Sequence, residues 1–233
     1  MKRFWKEVSV ERAEDCRGVG FALKLDGRPV KTPGRTALLL PNERLAEAVA
    51  EEWRAVSETI DPRAMPLTGL SNAAIDRIGP AHASFAASLA AYGETDLLYY
   101  RADGPAELTA RQAAAWDPLL DWARTRYDVH FETATGVMHH PQPPATVARL
   151  AEAVAALDAF RLAGLSPVVT IGGSLIAALA LLEGHETKDA IWRAVETDED
   201  WQTEQWGDDK IAIHARETRK GDFDAGARFL SLL

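Results

Sequence analysis

Between Leu162 and Leu182 the chain reads LAGLSPVVTIGGSLIAALALL, 21 residues without a single charge. Such a stretch has to leave water, either for a lipid bilayer or for the centre of a folded body. Ser166, Pro167, Thr170, Gly172, Gly173 and Ser174 keep it only mildly apolar, which argues for the folded body. Ser166 followed by Pro167 reads as an N-cap and a first helical position. The expectation is a buried central helix of about 15 residues and no membrane insertion.

A core of that kind needs other elements to cover it, and the chain supplies two sorts. In GVGFALKLDGRPVKTP, Phe21, Leu23 and Leu25 alternate with Ala22 and Lys24. Asp26-Gly27 then makes a two-residue hairpin turn, and Val30 to Thr32 returns. TALLLP offers a third strand ended by Pro41. The period then changes. Leu45, Val49, Trp53 and Val56 recur at helical spacing behind Asn42, a candidate N-cap, with Glu43, Glu47, Glu51 and Arg54 off the stripe. DPRAMP, Asp61 to Pro66, interrupts the pattern with two prolines.

Nearly everything beyond it reads helical: LTGLSNAAIDRI, HASFAASLAAYGETDLLYY, ELTARQAAAWDPLLDWARTRYDV, TVARLAEAVAALDAFRLAG and HETKDAIWRAVETDEDWQTEQWG. In the third of these Pro118 is expected to start a new turn and not to sit mid-helix. Thr187 is a candidate N-cap, and Gly207 lies just past a helix end. The tail from Asp208 is expected to form one or two short helices. The predicted fold is a β-rich α+β domain of antiparallel strands with a packed helix, residues 1–63, followed by a larger all-α domain, residues 64–233.

Charge and cysteine usage narrow the function classes. A net charge of −9 disfavours a nucleic-acid or anionic-membrane binder. Cys16 is the only cysteine, so neither an internal disulfide nor a multi-cysteine metal site can form. The opening MKRFWKEVSVERAEDC has neither a secretory signal nor an arginine-rich transit pattern, and a reducing cytoplasmic setting is expected.

Enzyme signatures are mostly missing. The glycines of VVTIGGSLIAAL form neither a dinucleotide nor a phosphate loop. IGGSLI places Ile176 where a nucleophile elbow needs its second glycine. Adjacent His139 and His140 lack the i,i+4 spacing of metal ligands on a helix. Glu94 and Asp96, two apart, point in different directions on a helix and cannot easily share a proton. A small hydrolase using Ser174 or Glu94 and Asp96 stays open as the alternative. No cofactor and no metal are expected.

The segment ETDEDWQTEQWGDD, residues 196–209, mixes Trp201 and Trp206 with seven acids. On one helix over 188–206, Trp192, Val195, Glu199, Gln202 and Trp206 share a face, while Asp200 and Glu204 lie four apart on a neighbouring one. No basic residue occurs between 194 and 209 to offset them. The acids are either a solvated face or a site for a cationic partner group. Trp201 either packs beneath them or is itself a contact, and Trp206 reads as an anchor ending the helix against the body of the domain.

DWQTEQWG resembles a signature of the assembly chaperone family that binds the α subunit of the F-type ATP synthase catalytic head. ETDLLYYRA, QAAAWDPLLDWA and FALKLDGRPVKTP with LAEAVAEEW resemble further segments of that family in the same order, from about Trp5 to Leu233. The resemblance implies a non-enzymatic role: shielding the α subunit until the β subunit replaces it, in the cytoplasm of a bacterium, by a chain acting as a monomer. It places the family's functional acid on Asp200 and the tryptophan of its N-terminal helix on Trp53. Candidate partner-binding residues are therefore Asp200, Glu204, Trp201, Trp206, Gln202 and Trp53. Trp53 also reads as a core residue packing its helix on the sheet.

Overall fold

The computed structural model describes residues 2–15, 18–207 and 210–233. Cys16, Asp208 and Asp209 lie outside the described residues. The chain divides into two compact units. The first holds residues 1–82, 158–164 and 228–233, and the second residues 83–157 and 165–227. The sequence break at 63/64 does not coincide with this division, because residues 64–82 and two later segments cluster with the strands.

In the first unit β1 (Val8–Asp15) pairs antiparallel with β2 (Gly18–Leu25), which also takes β3 (Arg28–Pro29) and β4 (Leu39–Leu40). The expected turn is present, with positive φ at Asp26 and Gly27 and Leu25 opposite Arg28. The return beyond Pro29 is shorter than its alternation suggests. It continues through the Val30 amide, which donates to the Leu23 carbonyl at 2.8 Å, and the bridge of Lys31 to Ala37, before Leu39 and Leu40 pair with β2. Helix α1 (Glu43–Ala55) covers the sheet, and the side chain of Asn42 accepts the Leu45 amide at 2.9 Å as its cap. Leu45, Val49 and Trp53 face inward with Leu23, Leu25 and Leu40. Helix α2 (Pro66–Ala73) has no cap of its own. Glu52 of α1 substitutes, accepting the amides of Leu67 and Thr68 at 2.8 Å each and the Thr68 hydroxyl at 2.7 Å. Phe160 stacks on Phe229 within the same unit.

The second unit is helical, as the periodicity predicts. Helix α3 (His82–Ala90) is followed by short 3₁₀ turns and the two-residue strand β5 (Tyr100–Arg101). Helix α4 (Ala106–Tyr127) is its centre, burying Trp116, Leu119, Leu120 and Ala123. Pro118 lies inside α4 and starts no new turn. A proline deletes only the one intrahelical bond to the carbonyl four residues back, and four buried side chains around it hold the helix together. After β6 (Ala134–Thr135), which runs parallel to β5, comes α5 (Pro144–Ala155).

The uncharged stretch is not one helix. Helix α6 (Ala159–Gly172) contains Ser166 and Pro167 in its interior, so Ser166 is no N-cap. The chain breaks at Gly173, whose φ of +65° favours glycine, and restarts at Ser174 as α7 (Leu175–Leu182). Leu175 through Ala180 are all buried. No helix among the described residues is long and apolar enough to cross a membrane. Helices α8 (Lys188–Val195), α9 (Thr197–Trp206) and α10 (Lys210–Ser231) complete the chain. The tail is a single helix of 22 residues, longer than the expected one or two short ones.

Candidate functional site

The acidic segment does not continue the preceding helix. Thr187 caps α8 by accepting the Ala190 amide at 3.2 Å, as its position predicts, but α8 stops at Val195. Glu196 forms a one-residue break, and the Thr197 hydroxyl donates to the carbonyls of Ala194 and Arg193 at 2.8 and 3.1 Å. No glycine or proline marks the break, so periodicity could not find it. The single face running from Trp192 to Trp206 is therefore not formed. Trp192 is in the core against Phe223, whereas Trp206 is 78% exposed and no anchor against the body of the unit.

The acids of α9 find polar partners elsewhere in the same unit. Toward α4, Arg111 makes a two-pronged bond to Glu204, at 2.7 and 2.9 Å, and its guanidinium lies 5.1 Å from the centre of the Trp201 ring. Gln112 donates to Asp198 at 2.7 Å and accepts the Ala102 amide with its other end. Toward α10, Arg216 bonds Glu196 at 2.9 Å and also Asp200. Arg219 bonds Glu199 and reaches Glu196 at 3.5 Å. Trp201 is thus half-buried beneath Arg111, while Gln202 and Trp206 face solvent. Asp200 and Glu204 are each paired with a guanidinium of the same unit.

Electrostatics follow from this pairing. The Arg111 bond holds the Glu204 carboxyl below its usual range and raises Arg111 in turn. Burial pushes Glu196 up, against the pull of Arg219 and Arg216. Burial also works against the charge on Arg216, but its bonds to Asp200 and Glu196 outweigh that and leave it raised. Arg111, Arg216 and Arg219 escaped the sequence reading because they lie 93, 16 and 20 residues from their partners Glu204, Asp200 and Glu199. The one local signal was the i,i+3 spacing of Arg216 and Arg219, which puts two guanidiniums on one helical face.

Two grooves flank α9. One, of about 560 Å³, runs between α4, α8 and α9 over Ala114, Ala115, Pro118, Leu119, Ala190 and Ala194. The other, of about 340 Å³, lies between α9 and α10 and is bordered by Gln202, Trp206, Ala212 and Ala215. This unit also carries the chain's whole charge excess. It has 22 acidic against 11 basic residues, while the first unit has 13 against 15.

The other candidates lie apart from this site. Trp53 belongs to the first unit, is 9% exposed and packs at 5.2 Å on Trp5, which makes it a core residue. Ser174 and Asp96 do come together, fully buried, but as helix caps. The Ser174 side chain accepts the Ala177 amide at 3.0 Å. Asp96 accepts the amides of Leu98 and Ile176, each at 3.0 Å, and is bonded by the Ser174 hydroxyl. Burial lifts its carboxyl to about 6. Glu94 is not part of that cluster and faces Gln142 and His139. Among the described residues no group of three or more His, Cys, Asp or Glu side chains could hold a metal ion.

Known proteins match both sequence and fold. The model of the ATP12 chaperone protein family matches residues 2–124. The mitochondrial protein ATP12 of Saccharomyces cerevisiae is 36% identical over 78 residues, which is 32% of this chain and 23% of the yeast protein. The crystal structure of Atp12 from Paracoccus denitrificans superposes with a TM-score of 0.94 at 43% identity, covering 99% of this chain and 97% of that one. A point mutant of the same Paracoccus protein gives 0.94 at 42% identity over the same shares.

Proposed function

Because the chain belongs to the ATP12 chaperone family, we propose that it binds the unassembled α subunit of the F-type ATP synthase catalytic head and shields its interface until the β subunit takes over. The observation that carries this reading is the exposed Trp206 at the end of α9, on the unit that holds the acidic excess. A large aromatic left in water is costly unless a partner covers it, and aromatics are enriched among the residues that dominate protein interfaces. The acidic surface favours encounter with a basic client rim and disfavours acidic bystanders. An unassembled subunit with an apolar interface aggregates unless that interface is covered. Covering it asks for neither nucleotide nor metal, and the chain acts as a monomer in the cytoplasm.

The test mixes purified α subunit with the chain and follows light scattering and the mass of the soluble species. The expected result is a 1:1 complex and suppressed aggregation of α. Scattering identical with and without the chain, and no complex at micromolar concentrations, would overturn the reading.

A further inference from the structure

Helix α9 has only two large apolar side chains, Trp201 and Trp206, and Trp206 points into solvent. Apolar burial therefore contributes little to holding this helix in place, and its hydrophobic pattern has no inward stripe. What holds it is polar and comes from two sides. On the α4 side are Asp198 with Gln112 and Glu204 with Arg111. On the α10 side, Arg216 joins Glu196 to Asp200, and Arg219 joins Glu196 to Glu199.

Asp200 is thus already engaged by a guanidinium of its own chain, in a partly buried pair with side chains 36% and 29% exposed. A client cation would have to share that carboxylate with Arg216, which already holds one of its oxygens in a charge-assisted bond. Arg216 lines the groove between α9 and α10 that Trp206 borders, and Asp200, bonded to it, lines the groove on the other side of α9. We propose that Asp200 is a positioning residue: its bond to Arg216 clamps α9 onto α10 and so fixes Trp206 as the client contact. This rests on the chaperone reading above and deepens it, since it separates the residue that touches the client from the one that aims it.

The two roles for Asp200 give opposite signs at Arg216. If Asp200 bound a client cation, removing Arg216 would free the carboxylate and leave affinity equal or higher. As a clamp, the pair loses its function whichever partner is removed, and the double variant does no further harm because both changes break one bond. The experiment measures affinity for purified α subunit with Asp200→Ala, Arg216→Ala, the double variant and Asp200→Asn, each checked by thermal melting. Amide hydrogen exchange of α9 is recorded in the free chains.

The expected result is a loss of roughly tenfold or more in each alanine variant, a double no worse than the weaker single, and faster exchange throughout α9. Asp200→Asn, which keeps an acceptor for Arg216, should recover most of the affinity. Binding by Arg216→Ala at or above the wild-type level, or α9 protection unchanged in Asp200→Ala, would sink the clamp. Should Arg216→Ala fail to fold because Glu196 is buried, Arg216→Lys and the Asp200 variants decide by the same exchange measurement. Should the wild-type chain capture no α subunit, the functional reading fails, and α9 exchange in the free variants alone decides the clamp.

Discussion

Replacing Trp206 by alanine should weaken client binding strongly and leave the fold intact. The side chain is 78% exposed, and an aromatic of this class offers about 150–250 Å². A client that covers it therefore removes roughly 120–200 Å² from water, worth about 3–5 kcal/mol at ~25 cal/mol/Å². Ordering the side chain and imperfect packing reduce this to about 2–4 kcal/mol, the range of interface hot spots. The dissociation constant should then rise roughly 30-fold to several-hundredfold. Calorimetric titration of α subunit into wild type and Trp206→Ala reads this directly. Because Trp206 has almost no contacts to lose in the free chain, urea midpoints should differ by less than about 0.5 kcal/mol in stability. An affinity within threefold of wild type, with the fold intact, would refute the reasoning.

Trp53→Ala should behave in the opposite way. Its ring is buried against Trp5, so about 3–5 kcal/mol of stability goes, and binding falls only as far as the folded fraction falls. Unchanged urea stability with lost affinity would restore Trp53 as a contact. Gly164→Ala places a Cβ 2.8 and 2.9 Å from Leu230 atoms and 3.0 Å from the Phe229 ring, and a cost of about 1–3 kcal/mol is expected by thermal melting. Asp96 gives a pH dependence whose sign is fixed by burial. Its folded pKa, about 6, lies above the ordinary aspartate value of 3.8, so the folded chain keeps a proton the unfolded chain releases. The stability this group contributes is fully present below pH 3.8 and is lost, by about 3 kcal/mol in all, as pH rises through 6. Unfolding free energies of wild type minus Asp96→Asn, measured from below pH 3.8 up to pH 7, should decline by that amount, and a flat difference would contradict it.

Much of the frame can be read along the chain because it depends on near neighbours. The Asp26-Gly27 hairpin, the caps at Asn42 and Thr187 and the inward stripe Leu45, Val49, Trp53 each rest on residues within a turn or two. The same locality made the antiparallel strands and the helical remainder predictable. It failed where a local rule was overruled by packing. Pro118 and Pro167 sit inside helices, and the uncharged stretch breaks at Gly173 and not before Ser166.

Family membership was also carried by the sequence, since motif identity needs no coordinates. What the sequence could not determine is what the acids of ETDEDWQTEQWGDD do. Read alone, residues 194–209 show charge with no counter-charge, which leaves open a solvated face or an external cation. The fold brings Arg111, Arg216 and Arg219 to Glu204, Asp200 and Glu199, and completes the site from within. It also decides between the two readings of Trp201 by tucking it under Arg111, and overturns the anchor reading of Trp206 by leaving it in water. Charge pairing and solvent exposure depend on which distant residues meet, and only tertiary packing decides that.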